Sequence, residues 1–377
     1  MGNPIRVLVI GGIRTHYIKI NAIQRMFEGF SKEFRNQFEV IYVNAAQHYD
    51  YALTCHIEEL GVRFDYNISQ PSKNSYDILS TMFTELGKLI DGFSNAAKID
   101  YVIVMGDVAT TAVSALVAAI KHIKVVHIEA GVRIKYGDGN EEYYRTVSDH
   151  SSSLCFAATL SDYNNLVKEN FGARAIYSGD IIYDFVKDYY SVYQPKEFSY
   201  ILNNKKYEYA LQGEYVLASL HHVENINKET ISGLFYALHD KGYHSIFIAH
   251  PRIKQFIEYN QIETYGALIV DAIPYLDNLR AIKYCKFCIT DSGGIQREAY
   301  YANKRCIVRS ETIIWKSILE TGNNLVCGAS VKDMMSALKW AEENADKNIP
   351  YNGCFGSGNA VKIIFEKILQ DYILNQS

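Results

Sequence analysis

The segment from Thr290 to Glu298, which reads TDSGGIQRE, has the composition of an anion-binding turn. Small residues join an apolar run to a helical pattern. Backbone N–H groups and the helix dipole favour a phosphate at such a turn, and glycines let it approach the main chain. The alternative is an ordinary strand-to-helix turn in which Asp291 or Ser292 caps the helix. The candidate ligand contacts are Ser292, Gly293 and Gly294 for a phosphate and Glu298 for a ribose diol.

Two cations, Arg14 and Lys19, follow the first apolar run and its turn, Gly11-Gly12-Ile13. Both are candidate contacts to a diphosphate, and the alternative for each is a surface cation beside a glycine turn. The glycine spacing departs from the G-x-G-x-x-G fingerprint of dinucleotide-binding proteins. The sequence therefore disfavours a nicotinamide cofactor.

Carboxylates and histidines stand at the ends of further apolar runs. Acid–base chemistry at carbon needs paired groups in opposite protonation states, although a lone acidic residue at a strand end is usually a cap or an ion-pair partner. The acidic candidates are Asp107, Glu129 and the neighbours Glu141 and Glu142. The histidines are His221, His222 and His250, and His221, with Glu224 nearby, is a candidate phosphate ligand or proton donor. Because the Cys and His spacings fit no closed zinc site, no metal is expected.

The composition excludes several classes of protein. Of 377 residues, 48% are hydrophobic and 21% are charged, and the net charge is −4, which gives no bulk electrostatic reason to bind nucleic acid or an anionic membrane. No apolar stretch has the length of a membrane span, and MGNPIRVLVIGG lacks the features of a signal peptide. The seven cysteines, including Cys285-x-x-Cys288, are expected to be reduced and packed in the core of a cytoplasmic protein.

Short apolar runs, each followed by a helical pattern, recur in two series and are typical of strands buried in parallel sheets. The predicted strands are residues 5–10, 38–43, 101–105, 124–128 and 153–158, then 215–220, 245–250, 267–272, 286–290, 305–309 and 324–328. In such sheets ligands bind beyond the carboxyl ends of the strands, which is where the candidate residues stand. A polar segment rich in Tyr and Lys, roughly residues 186–212, is interpreted as the connection between the series.

The sequence thus predicts an α/β protein with two Rossmann-like domains facing a central cleft. The first domain is placed at residues 1–180 and the second, nucleotide-binding domain at residues 181–357. The amphipathic stretch 358–377 is predicted to form a helix that docks on one of the domains, the first being preferred.

Seven sequence motifs, taken in order, resemble those of the UDP-N-acetylglucosamine 2-epimerases over residues 5–365. The family motifs G-T-R-P-E-x-I-K, G-Q-H-Y-D, G-D-T, H-V-E-A-G-x-R, P-E-E-x-N-R, H-R-x-E-N and D-S-G-G-I-Q-E-E-A correspond to residues 12–19, 46–50, 106–108, 127–133, 140–145, 221–225 and 291–299. The resemblance implies a glycosyltransferase-B-like fold, a homodimer, a UDP-sugar substrate and no cofactor. It also allows a second, regulatory sugar site at Gln47 and His48.

The resemblance further implies roles for individual residues. The acid–base groups would be Asp107, Glu129 and Glu141, with His221 as a further catalytic candidate. The diphosphate would be held by Arg14, His221, Ser292 and Gly293, and the ribose by Glu298. The predicted substrate-binding set is completed by Lys19, Arg145, His250 and Gly294.

The implied reaction interconverts UDP-N-acetylglucosamine and UDP-N-acetylmannosamine, or a modified amino sugar, for the biosynthesis of cell-surface polysaccharides. Loss of the carbon 2 proton and of UDP gives a glycal, and their re-addition on the other face inverts that carbon; protein cations stabilise the leaving group. The alternatives are a hydrolysing epimerase that releases N-acetylmannosamine and UDP, and a catalytically silent binder. The silent binder is considered because the family's T-E-R-P-E charges become apolar within residues 310–316. A glycosyltransferase is disfavoured because no acceptor-domain insertion is present.

Overall fold

The computed structural model describes residues 3–45, 57–68, 75–93, 98–134, 140–192, 197–203, 205–210, 214–309 and 315–376. The chain divides into two compact units. Unit 1 consists of Met1–Phe185 with Gly353–Ser377, and unit 2 consists of Val186–Asn352. Each unit contains its own parallel sheet with helices between the strands. The predicted α/β fold with two Rossmann-like sheets is confirmed.

Unit 1 contains a seven-stranded parallel sheet in the order β3-β2-β1-β4-β5-β6-β7. Its strands are β1 (Ile5–Gly11), β2 (Phe38–Asn44), β3 (Tyr66–Asn67), β4 (Tyr101–Met105), β5 (Lys124–Ile128), β6 (Leu154–Ala157) and β7 (Ala175–Tyr177). All five residues of β4 are buried, as expected for a central strand covered on both faces. The strand order reverses between β1 and β4, so the residues after these two strands flank the point where doubly wound sheets bind ligands.

The helices of this part of the chain follow the strands. They are α1 (Arg14–Glu28), α2 (Lys32–Arg35), α3 (Ser75–Gly92), α4 (Ala109–Ile120), α5 (Glu141–Ser151), α6 (Leu160–Lys168) and α7 (Ile181–Val192). The apolar faces of α3 and α4 pack with β1, β2 and β4 in one buried cluster that includes Met82, Leu86 and Ala115. This packing fixes the strand ends that carry the predicted acidic residues.

Unit 2 contains a six-stranded parallel sheet in the order β12-β11-β10-β13-β14-β15 and a separate two-stranded sheet, β8-β9. The strands are β8 (Glu197–Leu202), β9 (Lys205–Ala210), β10 (Val216–Leu220), β11 (Ser245–Ala249), β12 (Leu268–Val270), β13 (Cys288–Thr290), β14 (Cys306–Val308) and β15 (Asn324–Val326). The helices are α8 (Lys228–Asp240), α9 (Pro251–Tyr259), α10 (Tyr275–Tyr284), α11 (Gly293–Tyr301), α12 (Lys316–Glu320) and α13 (Val331–Asn344). Here the order reverses between β10 and β13, which end beside His221 and Asp291.

The segment interpreted as a plain connection contains regular structure. Strands β8 and β9 form an antiparallel hairpin in which Tyr200 stacks on Tyr207 with ring centroids 5.6 Å apart. Ile201 forms a bridge with Ala272, so the hairpin is tied to the end of β12. Tyr and Lys suit a half-exposed strand pair, in which aromatic residues on opposite strands pack together. A composition rich in Tyr and Lys therefore fits an exposed hairpin as well as a polar linker.

The last helix, α14 (Ala360–Leu374), belongs to unit 1. Phe365 packs against Phe27 and Phe38, with ring centroids 4.8 and 5.2 Å apart. Asp371 accepts a hydrogen bond of 2.6 Å from the Tyr101 hydroxyl and pairs with Lys124 at 2.5 Å. The amphipathic C-terminal helix expected from the sequence is therefore present, and both an aromatic cluster and an ion pair hold it against the first sheet.

The Cys285-x-x-Cys288 pair is part of the core of unit 2. Both thiols are fully buried, their Sγ atoms lie 3.5 Å apart, and Cys285 donates to the Ile282 carbonyl at 3.2 Å. A neighbouring thiol and burial raise the pKa of Cys288. The expected role of this pair in core packing is confirmed. Separately, none of the helices within the described residues is both long and apolar enough to cross a bilayer.

Candidate active site

Three polar side chains of unit 1 converge on Gly106, directly after β4. A Cβ atom built on Gly106 would lie 3.4 Å from Lys19 Nζ, 3.6 Å from His16 Nε2 and 3.9 Å from Glu129 Oε2. Lys19 and Glu129 form a close ion pair. The side chains of Lys19 and Glu129 are 4% and 13% exposed, so the pair is largely shielded from water, which strengthens its electrostatic interaction. Gly106 itself has a φ of 73°, which favours glycine at the point where these groups meet.

Glu129 has a backbone conformation that is unusual for its type. It follows β5 with a φ of 70°, in the left-handed region that few residues other than Gly, Asn and Asp adopt. Such strain persists where the surrounding structure holds it in place. The turn places the carboxylate beside the ammonium group of Lys19, with which it forms an ion pair. A carboxylate held in place in this way is a candidate general base.

A second acidic group stands at the neighbouring strand end. Asp107 pairs closely with Arg145 of α5, and Arg145 also lies 3.4 Å from Glu142. The buried Glu142 accepts a hydrogen bond of 3.0 Å from the Ile134 amide. The predicted catalytic residue Glu141 is exposed at the first position of α5. The structure therefore brings Asp107, Arg145 and Glu142 together, and the neighbour of Glu141 is the carboxylate that faces inward.

The sequence did not single out His16 as a site residue, and of the two neighbouring acidic candidates it favoured Glu141 over Glu142 as the catalytic group. His16 stands where the family motif has Glu, and its Nδ1 accepts a hydrogen bond of 3.3 Å from the Gly12 amide. That departure from the motif was the available signal. For Glu142 the spacing to Arg145 gave the signal, since residues three apart on a helix lie on one face.

The turn after Glu129 requires glycine at position 131. Gly131 has a φ of 82°, and a Cβ atom there would lie 2.3 Å from the Asp162 carbonyl oxygen. We expect Gly131→Ala to lower the free energy of unfolding by about 3 kcal/mol or more, because overpacking adds to backbone strain. The control is Gly172→Ala, which has a φ of 58° but nothing within 4 Å and should cost about 1–2 kcal/mol. Urea unfolding measures both, and equal losses would contradict the clash.

In unit 2 the buried Asp291 organises the loop after β10. It accepts hydrogen bonds from the backbone amides of His221, at 3.0 Å, and His222, at 3.0 Å, and from the Asn225 side chain at 2.8 Å. The His221 ring lies with Nδ1 2.7 Å from Asp291. Burial by itself raises the pKa of Asp291, but the hydrogen bonds and charge of His221, and the Asn225 amide, outweigh it and lower the pKa. The pairing leaves Nε2 of His221 as the outward-facing nitrogen.

The amino terminus of α11 follows Asp291 directly. Ser292 is the N-cap residue, yet within the described part of the chain its side chain makes no capping hydrogen bond. The Ser292 amide instead donates to Thr290 Oγ1 at 3.0 Å. The sequence alternative in which Asp291 or Ser292 caps this helix is therefore wrong. A partly exposed helix start without a side-chain cap is suited to bind an anion.

Trp315 supports this turn from the segment where the family motif T-E-R-P-E is altered. Its indole N–H donates to the Gly293 carbonyl at 3.0 Å. The guanidinium of Arg297 lies over the Trp315 ring, 4.5 Å from its centroid. A cation–π contact between Arg297 and Trp315 thus lies beside the turn at the start of α11. Residues 310–314 of the altered segment, and the predicted Gln47 and His48, lie outside the described residues.

The remaining predicted residues are also placed. Glu298 is buried on α11 and accepts a hydrogen bond of 3.2 Å from Asn278. His250 caps α9, accepting from the Arg252 amide at 3.4 Å, and burial and the charges of Arg252 and His221 lower the pKa of His250. Arg14 is the first residue of α1. Glu224, expected beside His221, lies 3.5 Å from His222 instead.

His221, His222 and Asp291 present possible metal-ligating atoms within 4.8 Å of one another. However, four donors occupy the two oxygens of Asp291: the His221 and His222 amides, the His221 ring and Asn225. A carboxylate offers about four lone-pair positions, so little acceptor capacity is left for an ion. The cluster fits an oriented histidine–carboxylate pair better than a metal centre.

A family model described as UDP-N-acetylglucosamine 2-epimerase matches residues 32–369. A UDP-N-acetylglucosamine 2-epimerase of Methanococcus maripaludis is 30% identical, covering 95% of this chain and 97% of the relative. A UDP-2,3-diacetamido-2,3-dideoxy-D-glucuronate 2-epimerase of Pseudomonas aeruginosa is 26% identical, covering 96% and 99%.

A solved structure is similar over the same length. The Methanocaldococcus jannaschii UDP-GlcNAc 2-epimerase, crystallised with UDP-GlcNAc and UDP, has a TM-score of 0.79 at 26% identity, covering 97% of this chain and 100% of that one. This likeness confirms the predicted glycosyltransferase-B-like fold class. With the family model spanning most of the sequence, the chain belongs to the UDP-N-acetylglucosamine 2-epimerase family.

Proposed function

We propose that this chain is a nucleotide-sugar 2-epimerase that interconverts UDP-N-acetylglucosamine and UDP-N-acetylmannosamine, or a closely related pair of UDP-amino sugars. The observation that carries the proposal is the gathering of two carboxylate–cation pairs at neighbouring strand ends of unit 1. These are Glu129 with Lys19 and Asp107 with Arg145. Acid–base catalysis at carbon requires paired proton-transfer groups of this kind.

The proposed reaction needs no change in oxidation state overall. A carboxylate takes the proton from sugar carbon 2, a double bond forms between carbons 1 and 2, and the bond from carbon 1 to UDP breaks with its electron pair on the phosphate oxygen. The reverse steps return UDP to carbon 1 and a proton to the opposite face of carbon 2. Glu129 and Asp107 are the proposed acid–base groups, and Glu141 stays a third candidate.

Unit 2 has the features expected of a UDP-binding unit. The uncapped start of α11 offers backbone N–H groups to the diphosphate through Ser292, Gly293 and Gly294. His221, oriented by Asp291, supplies a further hydrogen bond to this anion. Buried Glu298 is the proposed acceptor for the ribose hydroxyls. Lys19, Arg145 and His250 remain proposed substrate contacts. We further propose that the protein is a cytoplasmic homodimer. Light scattering of the purified protein tests whether it is a dimer.

Proton NMR of the protein with UDP-N-acetylglucosamine in heavy water tests the function. Loss of the carbon 2 proton signal with new UDP-N-acetylmannosamine peaks is the expected result. Free N-acetylmannosamine and UDP would instead assign the chain to the hydrolysing branch. If that sugar is unchanged, the diacetamido-glucuronate substrate of the Pseudomonas relative is the next compound to try. UDP binding without turnover of either sugar would favour the silent binder and contradict the proposal.

Replacing Arg14 with Ala is expected to weaken UDP binding about tenfold or more, because a charged hydrogen bond to a phosphate contributes about 1.5–3 kcal/mol. Isothermal titration calorimetry measures the change. Arg63→Ala is the control, since Arg63 is an exposed residue of the same unit that pairs with Glu28. An Arg14 variant with wild-type affinity would remove this residue from the diphosphate site.

A further inference from the structure

A buried histidine–aspartate pair lies behind the two strand ends that carry the proposed acid–base groups. His127 is in β5 and Asp149 in α5, and both side chains are fully buried. His127 Nδ1 donates to Asp149 Oδ1 at 2.6 Å, and Nε2 donates to the Gly106 carbonyl at 2.8 Å. Each ring nitrogen of His127 thus contacts a group that can only accept a hydrogen bond, and the ring joins the Asp149 carboxylate to the Gly106 carbonyl.

The carboxylate of Asp149 is held in its ionised form. Burial by itself raises the pKa of Asp149, but the charge and hydrogen bonds of His127 and Arg133 outweigh burial and lower the pKa. Arg133 approaches it at 2.7 Å and also pairs with Glu169 at 2.7 Å. The buried charges are therefore compensated, as is required for such groups to persist in a protein interior.

Asp149 fixes the turn on which Glu129 stands. Besides the His127 ring and Arg133, it accepts a hydrogen bond of 3.2 Å from the Gly131 amide. One carboxylate thus holds groups from residues 127, 131 and 133, on both sides of Glu129. Since Glu129 has a φ of 70°, which is unfavourable by itself, these contacts help to keep the strained turn in place.

His127 joins the same turn to the end of β4. The carbonyl that its Nε2 binds belongs to Gly106, the residue around which Lys19, His16 and Glu129 gather and which precedes Asp107. The Gly106 amide in turn donates to the Ile128 carbonyl at 3.0 Å. His127 therefore adds a side-chain hydrogen bond to the backbone ladder that joins the ends of β4 and β5, next to Asp107 and Glu129.

We propose that Asp149 and His127 are positioning residues for the acid–base chemistry, acting through the Gly106 and Glu129 turns without touching substrate. The proposal rests on the proposed epimerase function. A displacement of reacting groups by about 1 Å can cost about 100-fold in rate. The pair should therefore affect turnover much more than nucleotide affinity.

The test compares Asp149→Asn with Asp184→Asn. Asp184 is also a buried carboxylate of unit 1, but it accepts from the amides of Ala360 and Val361, at 3.0 and 2.9 Å, and so caps α14. For each variant, kcat and KM for carbon 2 exchange, the Kd for UDP and the Tm are measured, with kcat expressed per folded protein. We expect Asp149→Asn to lower kcat about 10–100-fold with KM and the UDP Kd within about threefold. Asp184→Asn should lower Tm while kcat stays unchanged.

Several outcomes would overturn the proposal. An Asp149→Asn protein with a lower Tm but wild-type kcat would show a structural role only. If Asp149→Asn does not fold, His127→Gln, which keeps an uncharged amide donor, is judged by the same split between kcat and KM. An inactive wild-type enzyme would reject the proposed function together with this inference, whereas an active wild type with an equally active variant rejects the inference alone.

Discussion

Glu129→Gln is expected to lower kcat about 10²–10⁴-fold while the Kd for UDP changes by less than about fivefold. The amide has the size of the carboxylate but cannot take up a proton. Loss of the carboxylate also leaves Lys19, which is 3% exposed, without its ion-pair partner. The positive charge of this lysine is then no longer balanced by Glu129 where the proton is transferred. Rates are measured as loss of the carbon 2 proton signal in heavy water, and UDP affinity by calorimetry.

The control for Glu129→Gln is Glu214→Gln. Glu214 also forms an ion pair with a lysine, Lys286 at 2.7 Å, but it is exposed and in unit 2. Exposed pairs contribute about 0–1 kcal/mol, so this variant should behave like the wild type. A Glu129→Gln protein that fails to fold, or that loses UDP affinity and turnover equally, would assign Glu129 a structural or binding role instead.

Asp291→Asn is expected to weaken UDP binding at least about tenfold and to lower the free energy of unfolding by about 3 kcal/mol. The asparagine side chain has one oxygen that can accept hydrogen bonds, and its NH₂ group would face N–H donors with which it cannot bond. The backbone amides of His221 and His222 would then lose an acceptor, and the His221 ring would lose its orientation. Urea unfolding and calorimetry with UDP measure the two effects.

The pH dependence of the stability difference checks the cause. Because the folded protein lowers the pKa of Asp291, the stability that this carboxylate contributes is fully present above its ordinary pKa of about 4. It is lost as the pH falls through the lower folded-state value. The difference in the free energy of unfolding between wild type and Asp291→Asn should therefore become smaller only at acidic pH.

The control for UDP binding is Asp333→Asn, which alters an exposed capping box in unit 2 and should keep wild-type UDP affinity.

Much of the sheet architecture follows from local sequence. The long apolar runs such as YVIVM at 101–105 predict central strands because a strand buried on both faces has no alternation. Strand β7, Ala175–Tyr177, gives no such signal because Arg174 precedes it and Ser178 follows it, so its three residues are not part of a longer apolar run. The hairpin β8–β9 was missed because its Tyr and Lys residues also occur in polar connections. Pairing with a distant partner, such as Ile201 with Ala272, decides these cases and is not visible in the sequence.

The positions of several candidate residues were predictable because these residues lie at or just after strand ends. Asp107, Glu129, His221 and Ser292 all stand at strand ends, because parallel strands bring their carboxyl ends to one edge. The partners of these residues were harder to assign. Asp291 was weighed as a helix cap, but its contacts come from a loop about 70 residues earlier in the chain. Which of two adjacent glutamates faces inward depends on how α5 is rotated, and that is set by Arg145 and Asp107 packing together.

Unit 1 is built from two stretches of chain with the whole of unit 2 between them. A ribosome therefore completes the seven strands of the first sheet well before it makes α14. Until then Phe38 lacks Phe365, and Tyr101 and Lys124 lack Asp371. Unit 2 is one continuous stretch of chain, so all of it is synthesised before α14. Synthesis proceeds at about 5–20 residues per second, so unit 2 is expected to reach its final structure first. Unit 1, although its synthesis begins earlier, reaches its final structure only after α14 has been made.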